Sequence, residues 1–498
     1  MDGVNAPRST PSLAAALERA AQHALDFHLH RGERSPYATA SLADLEAALG
    51  GPLPATGASG DQVIDQLALG AAAGLVGSAG PRFFSWVIGG SHPAGVAADW
   101  LTSIWGQNAG LHATSPAAAV AEQIAARWIL ELLDLPRDAS VGFVTGATMA
   151  NFVGLAAARH ALLWRRGWDV ERQGLYGAPE IRVLLGEDAH STVFAALQYL
   201  GLGSDRVIKI AADRDGRMIP EKLEAEIGKL RAEDPDALCL VIAQAGQIHS
   251  GAIDPLDRVV AISHVAQAWV HVDGAFGLWA RAASATTDGA TRALARGAEG
   301  ADSWATDGHK WLQTPYDCGL AIVRDPEAHR RAMTIAASYL PQARAGERDP
   351  SDYVPELSRR ARGFAAWAVL KALGREGVEE MVGRHVRLAK RFAARLSAEP
   401  GVEIPHQVDL DQVFVRFGSD EQTRETTARV QRAGVCFVGG ARWRGRWGMR
   451  FSIISWWTQE ADIDAALDSI LDAWRGVREG RERRDGQDVD SLPSRSTS

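Results

Sequence analysis

The sequence predicts an α/β fold with a mostly parallel sheet between helices, joined to a smaller C-terminal α+β domain. Two observations support this prediction. Between residues 140 and about 325, short apolar runs rich in β-branched residues alternate with segments of helical length and periodicity. After a long helical stretch at 361–397, strand-like alternation returns and is followed by one more helical segment.

Seven apolar runs are predicted as strands of the large sheet. Their alternation with helical segments is typical of a sheet covered on both faces, in which ligands bind at the carboxyl ends of the strands. In chain order the runs are VGFVT, IRVLLG, RVIKI, ALCLVIAQA, WVHVD, SWAT and GLAIVR.

Helical periodicity also marks the N-terminal part of the chain, at 12–30, at 41–49 with Ser41 as N-cap, and at 119–135. The Gly/Pro/aromatic segment 80–95 is predicted to be irregular, and 340–360 to be a long loop. The resulting organisation is an N-terminal helical arm with a substrate-side segment (1–110), a large α/β domain (111–380), a small α+β domain (381–478) and a disordered tail (479–498).

Composition narrows the class of protein. The 498 residues carry a formal net charge of −8, which argues against a nucleic-acid partner because such proteins need a basic surface. The three cysteines are far apart in sequence, which favours a reducing compartment without disulfides. With no membrane-length apolar run and no leader-like N-terminus, the sequence predicts a cytoplasmic protein without a membrane partner.

Four features follow predicted strands and point to one edge of the sheet. Small residues at Gly146, Ala147 and Thr148 open a helix, which is either an ordinary turn or a phosphate-binding helix end. His190 follows the second strand, as a structural residue or a ligand contact. Asp273 ends the fifth strand, where a carboxylate needs a partner, such as a protonated ring nitrogen, Mg²⁺ or a helix N-terminus.

The fourth feature is Lys310, one of only six lysines, which lies between a histidine and a tryptophan. A lysine among aromatic residues suits a catalytic amine, because burial favours the neutral form. Pyridoxal 5′-phosphate (PLP) requires such a lysine for a Schiff base, an acid for its pyridine nitrogen and a helix-end phosphate site. A metal enzyme using His271 and Asp273 is disfavoured because no further ligand cluster is seen, and no metal is expected.

Several motifs resemble the group II PLP-dependent amino acid decarboxylases, the aromatic-L-amino-acid and glutamate decarboxylase family of fold type I. The resemblance spans roughly residues 60–475 and is strongest in the lysine and aspartate motifs. The matching segments are SHPAGVAADWLTSIW, TGATMAN, DAHSTV, HVDGAFG and ADSWATDGHKWL.

The resemblance implies a role for each matching residue. Lys310 would form the Schiff base, Asp273 would bind the pyridine nitrogen, and His190 and Ala275 would lie on opposite faces of the ring. A second group would contact the phosphate or its surroundings: Gly146, Ala147, Thr148, Gln247, Asp307 and His309. Two of these depart from the family pattern, since Asp307 stands where many relatives have Asn and Gln247 where they often carry threonines.

The resemblance also implies a reaction and a homodimer with the active site at the subunit interface. Tyr339, at the position of a loop tyrosine that supports protonation, favours plain decarboxylation to amine and CO₂. Oxidative decarboxylation to an aldehyde, transamination, carbon–carbon lysis and a non-catalytic homologue stay open as alternatives. Phe84, Trp86 and Trp105 favour an aromatic or hydrophobic substrate, and Arg450 is either an active-site or a surface residue.

Overall fold

A computed structural model describes residues 13–335 and 346–490, with side chains described to residue 480. The large domain contains a seven-stranded sheet in the order β1-β7-β6-β5-β4-β2-β3. Its strands are β1 Ser140–Val144, β2 Ile181–Gly186, β3 Ile208–Ile210, β4 Leu238–Gln244, β5 Trp269–Asp273, β6 Ser303–Asp307 and β7 Gly319–Val323. All seven predicted runs form strands, and the predicted α/β class is confirmed.

Strand β7 is antiparallel to both of its neighbours, β1 and β6, whereas the other adjacent pairs are parallel. Because β7 lies between β1 and β6, those two strands run in the same direction. The carboxyl ends of the six co-directional strands therefore meet at one edge of the sheet, which is where ligands bind in such folds.

Helices cover the sheet and form the N-terminal part of the chain. Helix α2 begins at the predicted N-cap Ser41, whose hydroxyl accepts a hydrogen bond from the Asp44 N–H in a capping box. The helices up to the small domain are α1 Leu13–Leu29, α2 Leu42–Leu49, α3 Gly60–Ala71, α4 Pro93–Trp105, α5 Pro116–Leu132, α6 Ala147–Trp164, α7 Val170–Gln173, α8 Ser191–Tyr199, α9 Pro220–Glu233, α10 Leu256–Val265, α11 Gly289–Leu294, α12 Pro326–Met333 and α13 Arg362–Ser397.

The small domain is built on a four-stranded antiparallel sheet in the order β10-β11-β9-β8. Its elements are β8 Val402–Glu403, β9 Gln412–Phe417, α14 Asp420–Ala433, β10 Gly439–Trp443, β11 Arg446–Ser452 and α15 Glu460–Asp490. This architecture matches the predicted α+β domain.

The elements cross two of the predicted domain boundaries. Helix α13 runs through residue 380 with a kink at Gly374, where φ is 61°. Helix α15 runs past residue 478 into the segment for which the sequence predicts disorder. The precise boundaries therefore stay predictions.

The segment 80–95 connects the N-terminal part to the small domain. Phe83 forms an isolated bridge with Phe437, and the Phe84 N–H donates to the Phe437 carbonyl at 3.0 Å. The Phe84 ring packs against Phe392 and Phe451 in the small-domain core. In the part of the chain that the structure describes, no helix has the length and apolarity needed to cross a membrane.

Candidate active site

A cavity of about 330 Å³ lies at the carboxyl edge of the large sheet. The strand ends of β1, β4, β5 and β6 all contribute to its wall, as the fold predicts. The lining residues are Thr145, Gly146, Ala147, Thr148, His190, Thr192, Gln244, Gly246, Ile248, Asp273, Ala275, Phe276, Asp307, His309 and Lys310. The structure thus brings together every cofactor-binding residue predicted from sequence except Gln247.

The first wall of the cavity is the N-terminal end of α6. Gly146 is its N-cap, and a Cβ on Gly319 of β7 would lie only 2.4 Å from the Gly146 Cα, so this crossing requires a residue without a side chain. The Ala147 N–H at the first helical position donates to Asp307 Oδ1 at 2.6 Å. The helix end therefore already interacts with an acidic group, as expected from its positive dipole end.

Lys310 projects into the cavity from the turn that follows β6. Its Nζ lies 3.0 Å from Asp307 Oδ2, and its side chain is only 18% exposed. The segment before α4 passes behind it, since a Cβ on Gly89 would lie 2.4 Å from the Lys310 carbonyl oxygen. This segment therefore packs directly against the backbone that carries the lysine.

Asp273 ends β5 and is 3% exposed. Its Oδ1 accepts one weak hydrogen bond, from the Ala275 N–H at 3.3 Å. Burial raises the pKa of Asp273, and the charges of His190 and Lys310 oppose that rise. A carboxylate in this position favours a cationic partner in the cavity, such as a protonated ring nitrogen.

A buried polar network lies behind Asp273. His271 is fully buried, and burial lowers its pKa to about 3, so the ring is neutral. Its Nε2 donates to Asn151 Oδ1 at 2.9 Å, since that oxygen only accepts, and its Nδ1 is 2.8 Å from Ser303 Oγ. The Asn151 amide in turn lowers the pKa of Asp273. Sequence reasoning missed Asn151, although its place one turn into α6 was a usable signal.

His190 is the N-cap of α8, and its Nδ1 accepts a hydrogen bond from the Thr192 N–H at 3.3 Å. The Thr192 hydroxyl lies 2.8 Å from the same nitrogen, so the remaining ring proton is on Nε2. Burial lowers the pKa of His190, and the nearby charge of Asp273 opposes this. The cavity therefore contains a flat, neutral ring at pH 7, held in place by Thr192.

His309 lies between the cavity and Tyr316. Its Nδ1 accepts the Cys318 N–H at 3.2 Å, and its ring stacks on Tyr316 with centroids 4.3 Å apart. Burial lowers the pKa of His309. Because of this lowered pKa the ring is neutral at pH 7, and its Nε2 lies 3.6 Å from Asp307 Oδ1.

Gln247 is placed differently from the prediction. Its Oε1 accepts the N–H groups of His249 and Ser250 at 2.6 and 2.9 Å, and the side chain is turned into the protein. The amide stabilises the tight turn after β4 and does not line the cavity. Gln244, the last residue of β4, lines it instead.

The three predicted substrate contacts do not line the cavity of a single chain. Phe84 is 1% exposed in the small-domain core, because the segment around it pairs with the strands of that domain. Trp86 and Trp105 are 61% and 49% exposed. Tyr339 lies outside the described residues, so its role stays a prediction.

The donor set of the cavity fits PLP. Lys310 provides an amine, Asp273 a buried acid for a ring nitrogen, His190 a flat neutral ring, and the α6 N-terminus a phosphate-binding end. Among the described residues, no group of three or more His, Cys, Asp or Glu is arranged to hold a metal ion. His271, considered as a metal ligand from sequence, is instead fully engaged with Asn151 and Ser303.

A family model described as "Pyridoxal-dependent decarboxylase conserved domain" matches residues 45–417. The chain belongs to this family. The pyridoxal-dependent decarboxylase assignment agrees with the resemblance seen in the motifs and with the chemistry of the cavity. It establishes PLP as the cofactor.

Two curated relatives illustrate the range of this family. "Acidic amino acid decarboxylase GADL1" of Xenopus tropicalis is 29% identical over 328 residues, covering 65% of this chain and 62% of the relative. "Tryptophan decarboxylase 1" of Oryza sativa subsp. japonica is 28% identical over 445 residues, covering 84% and 85%. The crystal structure of Oryza sativa TDC with PLP and tryptamine matches with a TM-score of 0.86 at 24% identity, covering 95% of this chain and 99% of that one. The structural match confirms the predicted fold.

Proposed function

We propose that this chain decarboxylates an L-amino acid to the corresponding amine and CO₂, with Lys310 as the lysine that attaches PLP. The observation that carries the proposal is the convergence of Lys310, Asp273, His190 and the α6 N-terminus on one cavity. The family match supports the same reaction.

When bound, PLP supplies an electrophilic carbon for amines and an electron sink for the bond that breaks. Asp273 would hold the proton on the ring nitrogen, because its buried carboxylate gains a counter-charge by doing so. His190 would cover one face of the ring and Ala275 the other. The Lys310 amine would bind the cofactor and would later displace the product amine from it.

An aromatic or hydrophobic substrate is supported by the apolar part of the cavity wall, where Phe276 and Ile248 lie. Trp443 and Phe414 pack around His249, one residue after Ile248, on the small-domain side. The names of the relatives include both an acidic amino acid decarboxylase and a tryptophan decarboxylase. The preference for an aromatic or hydrophobic substrate therefore rests on these side chains alone.

Arg450 supports the presence of a negatively charged group on the ligand. Its neighbours on β11, Met449 and Phe451, face the small-domain core, so Arg450 faces the opposite side of the sheet. Its charge lowers the pKa of both His190 and His249, which places it within electrostatic reach of the cavity. We propose that Arg450 attracts a carboxylate of the substrate.

We propose a homodimer in which the N-terminal segment meets a second copy. Helices α1, α2 and α3 contain no fully buried residue. Most of the exposed large hydrophobic side chains in the described ranges belong to residues 13–120, including Trp86, Trp100 and Trp105. Such a concentration of apolar surface is typical of an interface. Light scattering of the full chain tests this: a monomer at micromolar concentration would overturn it.

We also propose a cytoplasmic location. Cys239, Cys318 and Cys436 are all free and buried, and cysteines without disulfides are typical of proteins in a reducing compartment.

A panel of L-amino acids, assayed for both CO₂ and amine, tests the reaction. We expect release of the two products in equal amounts from an aromatic or aliphatic amino acid. Lys310→Ala should lose the absorption band of the bound cofactor and all turnover. Lys229 pairs with Glu226 on the surface, so the control variant Lys229→Ala should retain both. Aldehyde with peroxide, or a 2-oxo acid, in place of amine would contradict the proposal.

Tyr339→Phe tests the predicted protonation role separately. We expect the variant to keep the cofactor band and lose amine formation, with aldehyde as the alternative product. Normal amine formation by this variant would show that Tyr339 has no such role.

A further inference from the structure

Four buried side chains form a hydrogen-bonded polar row behind Asp273. The Trp269 Nε1–H donates to Ser303 Oγ at 2.9 Å. Ser303 Oγ lies 2.8 Å from His271 Nδ1, and His271 Nε2 lies 2.9 Å from Asn151 Oδ1. Each of the four residues is 3% exposed or less, so bulk water does not compete for these bonds.

The chemistry of these groups fixes the direction of the polar row. An indole N–H can only donate, so Ser303 Oγ accepts from Trp269 and its own hydrogen is left for His271 Nδ1. The His271 ring is neutral, so its single proton is on Nε2, which donates to Asn151 Oδ1. The amide oxygen of Asn151 therefore faces His271, and its Nδ2 donor faces away from that ring.

The backbone directs this donor toward Asp273. His271 and Asp273 share one face of β5, because they are two residues apart in the strand. Helix α6 packs on that face, since a Cβ on Gly154 would lie 2.7 Å from His271 Cε1. Asn151 lies about one turn closer to the N-terminus of α6, and this terminus lines the cavity at the edge where β5 ends. The Asn151 side chain therefore reaches from His271 toward Asp273.

The Asn151 donor needs an acceptor. Its Nδ2 is buried and makes no hydrogen bond of normal geometry to any residue that the structure describes, yet the amide lowers the pKa of Asp273. A buried donor without a partner is costly, and an ionised Asp273 is an acceptor that removes this cost. The polar row keeps the amide from turning over, because a turned amide would set its NH₂ group against the His271 N–H and its oxygen against the carboxylate.

We propose that Asn151 is a positioning residue: its Nδ2 donates to Asp273 and holds that carboxylate ionised, so that the ring nitrogen of PLP keeps its proton. This inference rests on the PLP site of the proposed function and adds to it a residue that does not line the cavity. His271, Ser303 and Trp269 hold the amide in the orientation that makes it a donor.

The test compares Asn151→Thr with Asn151→Val in the full chain loaded with PLP. The two replacements have nearly the same shape and the same branched Cβ, so they disturb α6 alike. A threonine hydroxyl can accept from His271 and donate to Asp273, whereas valine can do neither. Asn151→Leu, which keeps the branching of asparagine and has a higher helix propensity, is measured as well in case the valine variant folds poorly.

The readout is ¹⁵N NMR at pH 7 with PLP labelled at the ring nitrogen, because the chemical shift of a pyridine nitrogen reports whether it carries a proton. A PLP titration followed by absorbance gives the dissociation constant of each protein. We expect a protonated ring nitrogen in wild type and Asn151→Thr. In Asn151→Val and Asn151→Leu the signal should move toward that of an unprotonated pyridine, and PLP should bind roughly 10- to 100-fold more weakly.

Two results would overturn the role of Asn151. One is a wild-type ring-nitrogen signal in Asn151→Val or Asn151→Leu, even if the variant is less stable. The other is loss of the proton in Asn151→Thr to the same extent as in Asn151→Val, because the shape of the side chain, and not its donor, would then decide the effect. Failure of the wild-type chain to bind PLP would instead overturn the PLP site itself.

Discussion

Replacing Asp273 by Asn should change the stability of the cofactor-free protein and the affinity for PLP in opposite directions. The carboxyl group is 3% exposed and accepts a 3.3 Å hydrogen bond from the Ala275 N–H, and the Asn151 amide is a second neighbour that favours its charged form. Asn at this position can accept the same bond without a buried charge. It cannot balance a protonated pyridine nitrogen.

The size of each effect follows from this environment. An ionised carboxylate accommodates about four hydrogen bonds. The Ala275 N–H and the Asn151 amide meet only part of that demand, so relief of the unmet part should stabilise the cofactor-free protein by about 1–3 kcal/mol. Loss of a buried ion pair costs about 3–5 kcal/mol. That corresponds to a loss in PLP affinity of roughly 10²- to 10³-fold or somewhat more.

The sign of the pH dependence can be worked out from the raised pKa of Asp273. The folded chain holds the carboxyl proton more tightly than the unfolded chain, so wild-type stability falls as pH rises above the ordinary value of 3.8. The stabilisation of Asp273→Asn over wild type should therefore grow with pH from that point and then level off above the folded-state pKa.

Chemical denaturation of the cofactor-free proteins, paired with a PLP titration followed by absorbance, measures both quantities. Asp302→Asn is a suitable control, because Asp302 lies at the opposite end of the same strands and its carboxylate accepts the Val270 N–H at 2.7 Å. That variant should not weaken PLP binding. A less stable Asp273→Asn protein with unchanged PLP affinity would refute the reasoning about this carboxylate.

Three further predictions concern the surroundings of the site. Burial raises the pKa of Asp411 to about 7, so the wild-type free energy of unfolding should fall between about pH 4 and 7. In urea titrations Asp411→Asn should reduce this dependence on pH, and an unchanged dependence would contradict the prediction. Gly154→Ala should destabilise the protein by about 1–3 kcal/mol in thermal or chemical denaturation, because its Cβ would lie 2.7 Å from His271 Cε1. Gln247→Ala should lower the free energy of unfolding by about 1–3 kcal/mol, because it removes the acceptor for the buried Ser250 N–H and the part-buried His249 N–H. A large loss of PLP affinity without loss of stability would instead support a cofactor contact.

Much of the fold could be predicted from periodicity. The seven strand-like runs form the seven strands of the large sheet, because strands buried on both faces have continuous apolar sequences. The sequence gives no local signal for the place of β7 between β1 and β6, since that pairing depends on long-range contacts. Yet this placement brings Gly146 next to Asp307 and His309.

The site was predictable where residue chemistry and strand ends coincide, as at Asp273 and Lys310. It was less so where side-chain direction decides the role. Gln244 ends β4 and Gln247 lies three residues later in the following turn. Only the structure shows that Gln247 turns inward to close this turn while Gln244 faces the cavity. Phe84 likewise lies in the segment 80–95 that passes behind Lys310, yet its backbone pairing with Phe437 directs the ring into the small-domain core.

The lysine that attaches the cofactor is the central claim, and the six lysines of the chain make it directly measurable. Borohydride reduction of the PLP-loaded protein, followed by peptide mapping with mass spectrometry, fixes the cofactor to the residue that holds it. We expect the phosphopyridoxyl group on the peptide containing Lys310 and on no other lysine. Labelling of another of the six lysines, or of none, would contradict the account.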